Sequence, residues 1–290
     1  MDRNSVAVSK VTVPLILERK LQGQKITCLT AYDYPTARLV DEAGIDIILV
    51  GDTLAEVVLG YDSTIPITVD ELLLFLRAVR RATHRALLVG DLPFGAYHVS
   101  EDEAVRSAIR FLKEGGAEAV KLEGGQKRSA IIRRLVDAEI PVMGHIGLTP
   151  QSVHALGGYR VQGKTIDSAN DVLADAQAVE DAGAFALVLE GMPRELAALI
   201  TQRCRIPTIG IGAGPDCDGQ VLVLHDLVGL NPGPRAKFVR PYADVAATLR
   251  EAFARFRQDV IARTFPGDRE SYHWPAQMRE EFEKELSRRM

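Results

Sequence analysis

Apolar and polar positions along the chain fall into a repeating pattern. Short aliphatic, β-branched runs end in glycine or a polar residue, and each is followed by a stretch whose apolar positions recur every three or four residues. Eight such runs predict strands at 26–31, 45–51, 86–92, 119–123, 141–146, 186–190, 207–211 and 220–225. Each is nearly all apolar, as a strand covered on both faces is. Between them, Leu72, Leu73, Leu76, Val79 and Arg80 trace one stripe of a helix over 69–83 with a charged edge. Ser100 is placed to cap a helix, with Glu103 at the capping-box position three residues on. The apolar residues Ala104, Ala108, Phe111 and Leu112 of that helix then face the sheet. Strand and helix alternating eight times predict an α/β fold, a closed (β/α)₈ TIM barrel, with a doubly wound open sheet as the competitor.

Two stretches flank the repeat. A short segment covers 12–22, and a long terminal helix is expected to open with Pro241 in its first turn. Val245, Leu249, Phe253, Phe256 and Val260 give that helix an apolar stripe expected to pack on the barrel exterior, and Pro266 and Gly267 break it. The expected division is an N-terminal segment over 1–24, a catalytic barrel with its closing helix over 25–265, and a densely charged tail over 266–290 that is a solvated helix or a subunit contact.

At 290 residues, 47% of them hydrophobic, the chain is long enough for one large barrel. Lys plus Arg number 35 against 39 Asp plus Glu, so there is no basic excess for a phosphate backbone and nucleic acid is not an expected partner. Cys28, Cys204 and Cys217 are widely spaced, which suggests neither a disulfide framework nor a zinc knuckle and fits a reducing cytoplasm. Residues 1–10 lack an apolar signal core, and no apolar run approaches the roughly 18 residues that span a bilayer. No membrane association or export is expected.

The candidate chemistry sits at strand ends, where a parallel barrel carries its active site. The second and third strands finish in Gly-Asp, at Asp52 and Asp91; the fourth carries Lys121 and Glu123, the fifth His145 and the sixth Glu190. Lys121 and Glu123, two apart, point to the same side of their strand. They are either an ion pair holding the barrel top or part of a site, and each Gly-Asp is either a site or a helix-capping turn. Three carboxylates without cysteine are hard oxygen donors that suit Mg²⁺, with Asp52 and Asp91 as direct ligands and Glu123 acting directly or through water. His145 and Glu190 are candidates for acid–base work, with a bond to a backbone group as the even alternative for His145. Gly210 to Gly214 reads GIGAG, which lacks dinucleotide-fingerprint spacing and is either a tight turn or a phosphate loop.

The strings LTAYDYPTA, VGDTLAEVVLGYDSTIPIT, GDLPFGAYH, VKLEGG, MGHIGLTPQS, LEGMP and GIGAGPDCDGQVLVLHD together resemble the 3-methyl-2-oxobutanoate (ketopantoate) hydroxymethyltransferase family over about 25–265. The resemblance implies a barrel with Mg²⁺ at Asp52, Asp91 and Glu123, a keto acid held at Asp52, Thr53, Asp91 and Lys121, and Glu190 as proton acceptor. It further implies transfer of a hydroxymethyl group from 5,10-methylenetetrahydrofolate to 3-methyl-2-oxobutanoate, giving 2-dehydropantoate in the first step of pantothenate and coenzyme A synthesis. A ring-like homo-oligomer, a decamer, is also implied. Thr53 stands where the family usually has serine, and Ala55 and Glu56 where it has glycine and methionine. The competing readings are a Mg²⁺-dependent carbon–carbon lyase of the isocitrate lyase type and a non-catalytic barrel subunit. No KKCGH-like catalytic cysteine loop supports the first, and the full set of rim carboxylates speaks against the second.

Overall fold

The computed structural model describes residues 9–231, 233 and 235–290, the side chain of Leu156 excepted; residues 1–8 of the N-terminal segment lie outside it. Eight parallel strands pair in chain order and close: β1 Ile26–Thr30, β2 Ile47–Val50, β3 Leu87–Asp91, β4 Ala119–Glu123, β5 Val142–Gly147, β6 Ala186–Glu190, β7 Thr208–Ile211 and β8 Gly219–Leu222, with β8 returning to β1. The helices are α1 Val13–Leu21, α2 Tyr34–Glu42, α3 Leu54–Val57, α4 Val69–Ala82, α5 Glu101–Lys113, α6 Ser129–Asp137, α7 Val153–Leu156, α8 Ile166–Asp181, α9 Arg194–Arg203, α10 Leu224–Leu227, α11 Val245–Ala262 and α12 Ala276–Arg289. Alternate strand residues explain the apolar runs. Cys28, Leu49, Val89, Met143, Val188 and Ile209 pack inside the barrel. Their neighbours Leu29, Ile48, Leu88, Val120, Leu187 and Leu189 pack outward with the helices.

Local signals set most boundaries. Thr68 and Glu71 form a reciprocal capping box that starts α4, which buries Leu72, Leu73, Leu76 and Val79. Ser100 Oγ accepts the Glu103 N–H to start α5. The last strand ends earlier than expected, at Leu222, because the Leu224 N–H donates to Thr30 Oγ1 and the chain turns into α10. The return from β7 to β8 contains no helix, and Gly212 and Gly214 take φ of 62° and 83° there, a conformation that glycine adopts freely.

The segment before β1 is a plug rather than a flanking appendage. Val11 and Ile16 are fully buried in the barrel's interior cluster. Around them Lys10 bonds the Ala86 carbonyl and Glu118, Arg19 pairs with Asp46, and Lys20 pairs with Asp218. Each partner lies just before a strand, so α1 closes the end of the barrel opposite the strand C-termini.

Residues 1–242 and 243–290 divide into two compact units. In the second, α11 is capped by Asp244, whose side chain accepts the Ala247 N–H at 2.9 Å, so Pro241 precedes the helix instead of lying in its first turn. Leu249, Phe253, Phe256 and Val260 are 37–65% exposed. α12 is exposed along its length. No helix among the described residues is long and apolar enough to cross a membrane.

Candidate active site

The strand C-termini bring the sequence-predicted residues into one cleft that opens to solvent. Asp52, Thr53, Asp91, Lys121, Glu123, His145 and Glu190 all line it, over a floor that includes Cys28, Leu49, Met143 and Val188. Strand register places them: Asp91 lies beside Lys121 and Glu123 beside His145 on neighbouring strands. Neither Gly-Asp pair caps a helix. Asp91 ends β3, and Thr53 rather than Asp52 stands at the start of α3. Ala55 lies within α3, buried, at negative φ, so it demands no backbone freedom that only glycine has.

Lys121 Nζ donates to both oxygens of Asp91 at 2.8 and 2.7 Å and lies 3.9 Å from Glu123. Asp52, Asp91, Lys121, Glu123 and His145 are each at most 4% exposed. Burial, together with the charges of Asp91 and Glu123, holds the Asp52 carboxyl well above the ordinary carboxylate range. Burial also raises Asp91, against the pull of Lys121. Burial works against the Lys121 charge, but Asp91, Glu123 and Asp52 outweigh it and the ammonium pKa is raised. Glu123 is depressed despite its burial, because His145, Lys121 and the Gln151 N–H favour its anion.

His145 sits between two carboxylates, with Nδ1 3.4 Å from Glu123 and Nε2 3.1 Å from Glu190. Neither N–H points at its oxygen within hydrogen-bond geometry, so both buried nitrogens lack a hydrogen-bond partner among the described residues. Burial and Lys121 disfavour the imidazolium, yet the two carboxylates raise its pKa to about 9.

The donor set suits a hard cation. Asp91 and Glu123 flank a single ammonium with Asp52 beside them, and the repulsion that raises Asp52 is what a second positive charge would relieve. Among the described residues no three His, Cys, Asp or Glu side chains stand ready-grouped around a metal position, and Lys121 bonds both oxygens of Asp91.

Two buried residues behind the cleft escaped sequence reasoning. Gln151, in the turn Pro150–Ser152 after β5, donates to the Glu123 and Asp52 carboxylates, and Tyr97, between β3 and α5, accepts the Glu123 backbone N–H and donates to the Gln151 side chain. Both fall inside the strings GDLPFGAYH and MGHIGLTPQS, a few residues past a charged strand end. Rim loops, read as closely as strand ends, would have shown them.

The fold and cleft define a parallel β/α-barrel enzyme with an acidic, cation-bridged site at its strand C-termini. Two solved barrels share this fold. A phosphonopyruvate hydrolase structure with oxalate and Mg²⁺ has a TM-score of 0.59 at 16% identity, covering 89% of this chain and 92% of the other. A 2,3-dimethylmalate lyase, of the PEP mutase/isocitrate lyase superfamily, has a TM-score of 0.58 at 17% identity, covering 92% and 89%. In sequence, the ketopantoate hydroxymethyltransferase family model matches residues 10–268. The 3-methyl-2-oxobutanoate hydroxymethyltransferase of Koribacter versatilis is 61% identical over 267 residues, 92% of this chain and 90% of that one. The chain belongs to the ketopantoate hydroxymethyltransferase family, and is thus of the hydroxymethyl-transferring class.

Proposed function

We propose that this cleft carries out the reaction for which the relatives are named. A hydroxymethyl group passes to 3-methyl-2-oxobutanoate, giving 2-dehydropantoate at the first step of pantothenate synthesis, with 5,10-methylenetetrahydrofolate and water as donors. The observation that carries this reading is a buried ammonium, Lys121, and a rim carboxylate, Glu190, opening onto one cleft. An anionic keto acid needs the first, and loss of its C3 proton needs the second.

Lys121 spends two contacts on the Asp91 oxygens and retains further donor capacity for the substrate carboxylate. Thr53, on the same wall, offers a hydroxyl, as the family's serine does. His145, whose pKa its two neighbouring carboxylates raise against burial, is suited to donate, and the proton acceptor is Glu190, the carboxylate open to the cleft. Asp52 and Asp91, with Glu123 beside them, would hold Mg²⁺, which when bound supplies an electrophile for the 2-keto oxygen and so favours C3 deprotonation. The apolar floor of Met143 and Val188 suits the isopropyl end. The donated carbon exchanges its two bonds to the folate nitrogens for one to C3 and one to a water oxygen, and the two nitrogens take up the proton from C3 and one from water, leaving tetrahydrofolate.

Free buried thiols at Cys28, Cys204 and Cys217 suit cytoplasmic residence, and the ring-like decamer is the assembly proposed for the chain. The test of function is incubation with 3-methyl-2-oxobutanoate, 5,10-methylenetetrahydrofolate and MgCl₂, with and without EDTA. Mass spectrometry should find 2-dehydropantoate only without EDTA. Folded protein that yields none in MgCl₂ removes the reading.

A further inference from the structure

Hydrogen-bond direction behind the cleft leads to a residue pair to which the reading above gives no role. The Glu123 backbone N–H can only donate, and it donates to Tyr97 Oη at 3.2 Å. The Tyr97 hydroxyl hydrogen is therefore free to point elsewhere, and it goes to Gln151 Oε1 at 2.6 Å. That contact fixes which way the Gln151 amide faces. Its Nε2 then lies 2.9 Å from Asp52 Oδ2 and 3.0 Å from the Leu92 carbonyl, and the carbonyl can only accept. The Gln151 backbone N–H completes the circuit, donating to Glu123 Oε2 at 3.0 Å. Donor and acceptor needs agree at every link, so the amide has one orientation.

Gln151 is 3% exposed and Tyr97 wholly buried. Together they tie the C-terminal ends of β2, β3 and β4 to the turn after β5, and Gln151 engages one oxygen on each of Asp52 and Glu123. Both side chains repel their acidic neighbours, so without such donors each would swing away or take up a proton. A neutral donor holds them in place without adding a charge that would compete with a cation.

We propose that Gln151, oriented by Tyr97, is a positioning residue that presents the Asp52 and Glu123 carboxylates to the divalent cation. This rests on the Mg²⁺ reading of the site. The pair touches neither substrate nor reacting atoms; it acts through the two carboxylates. Groups that orient ligands in this way are worth about 10–100-fold in metal affinity.

The experiment is calorimetric titration of MgCl₂ into the metal-stripped full chain, its Gln151→Met and Tyr97→Phe variants, and the double variant. Thermal midpoints in EDTA report fold integrity. Gln151→Met should weaken Mg²⁺ binding by about 10–100-fold, and Tyr97→Phe, which frees the amide orientation and leaves the Glu123 backbone N–H without its acceptor, by about 3–10-fold. The double variant should match Gln151→Met within about twofold, because the two act through one chain of bonds. In MgCl₂-limited assays the loss should be recovered by raising the metal concentration, which a purely structural defect would not allow. If Gln151→Met does not fold, Tyr97→Phe carries the test. Unchanged Mg²⁺ affinity in folded variants, or independent and additive losses, overturns the inference while leaving the metal reading intact. A parent chain that takes up no Mg²⁺ overturns both.

Discussion

Glu190 differs from the other ionisable residues of the cleft in being partly open, with its side chain 15% exposed where those of His145 and Glu123 are 2 and 3%. A proton acceptor needs that position, since the proton must leave again after each turnover. His145 Nε2 lies 3.1 Å from the carboxylate, close enough for an imidazolium to favour its anion. Glu190→Gln preserves shape and removes the basic oxygen. Exchange of the C3 hydrogen of 3-methyl-2-oxobutanoate in D₂O, followed by NMR, should slow by about 10²–10⁴-fold. Keto-acid binding measured in parallel should stay near the parent value, because Lys121 and the acidic pair are untouched. Exchange at the parent rate would move the base away from Glu190.

At the scale of elements, α1 and the rim turns mark the boundary between what the chain's pattern discloses and what it conceals. Ile16 is fully buried within the barrel interior at the end opposite the cleft. Ile16→Ala should cost about 2–5 kcal/mol in urea unfolding, while turnover per folded molecule at low temperature stays unchanged. A loss under about 1 kcal/mol would mean the plug is dispensable. The strands and their charged ends were legible because apolar residues on both faces make short continuous runs, against which ionisable residues such as Lys121 and Glu123 stand out. The start of α4 was legible through Thr68 and Glu71, whose partners are local. What escaped depends on distant partners: α1 becomes a plug through Asp46, Glu118 and Asp218, β8 stops through Thr30, and Gln151 matters through Asp52, 99 residues away. No local window contains those pairs.

At the scale of the whole barrel unit, its two ends respond to acid in opposite ways. At the plugged end Asp46 accepts from the Thr27 N–H and hydroxyl and pairs with Arg85 and Arg19, and these contacts outweigh burial and hold its carboxyl below the ordinary value. The folded chain then binds fewer protons at Asp46 than the unfolded chain does. Its contribution is complete above the unfolded value of about 3.9 and is lost as pH falls through the lower folded value. At the cleft end Asp52 is raised well above the ordinary range by burial, Asp91 and Glu123. There the folded chain binds the extra proton, so the penalty is absent below about pH 4 and grows as pH rises toward the folded value. Asp46→Asn should therefore cost about 1–3 kcal/mol at pH 7, with the deficit shrinking below pH 4. Asp52→Asn, in EDTA, should stabilise the chain at pH 7, with the gain fading as pH falls toward 4. Denaturant midpoints measured from pH 3 to 8 read both slopes, and an Asp52→Asn chain no more stable than its parent at pH 7 would show that the acidic cluster carries no stored repulsion for a cation to relieve. The opposed signs have one physical source: contacts that favour the anion outweigh burial at Asp46, whereas burial and two neighbouring carboxylates work together against it at Asp52.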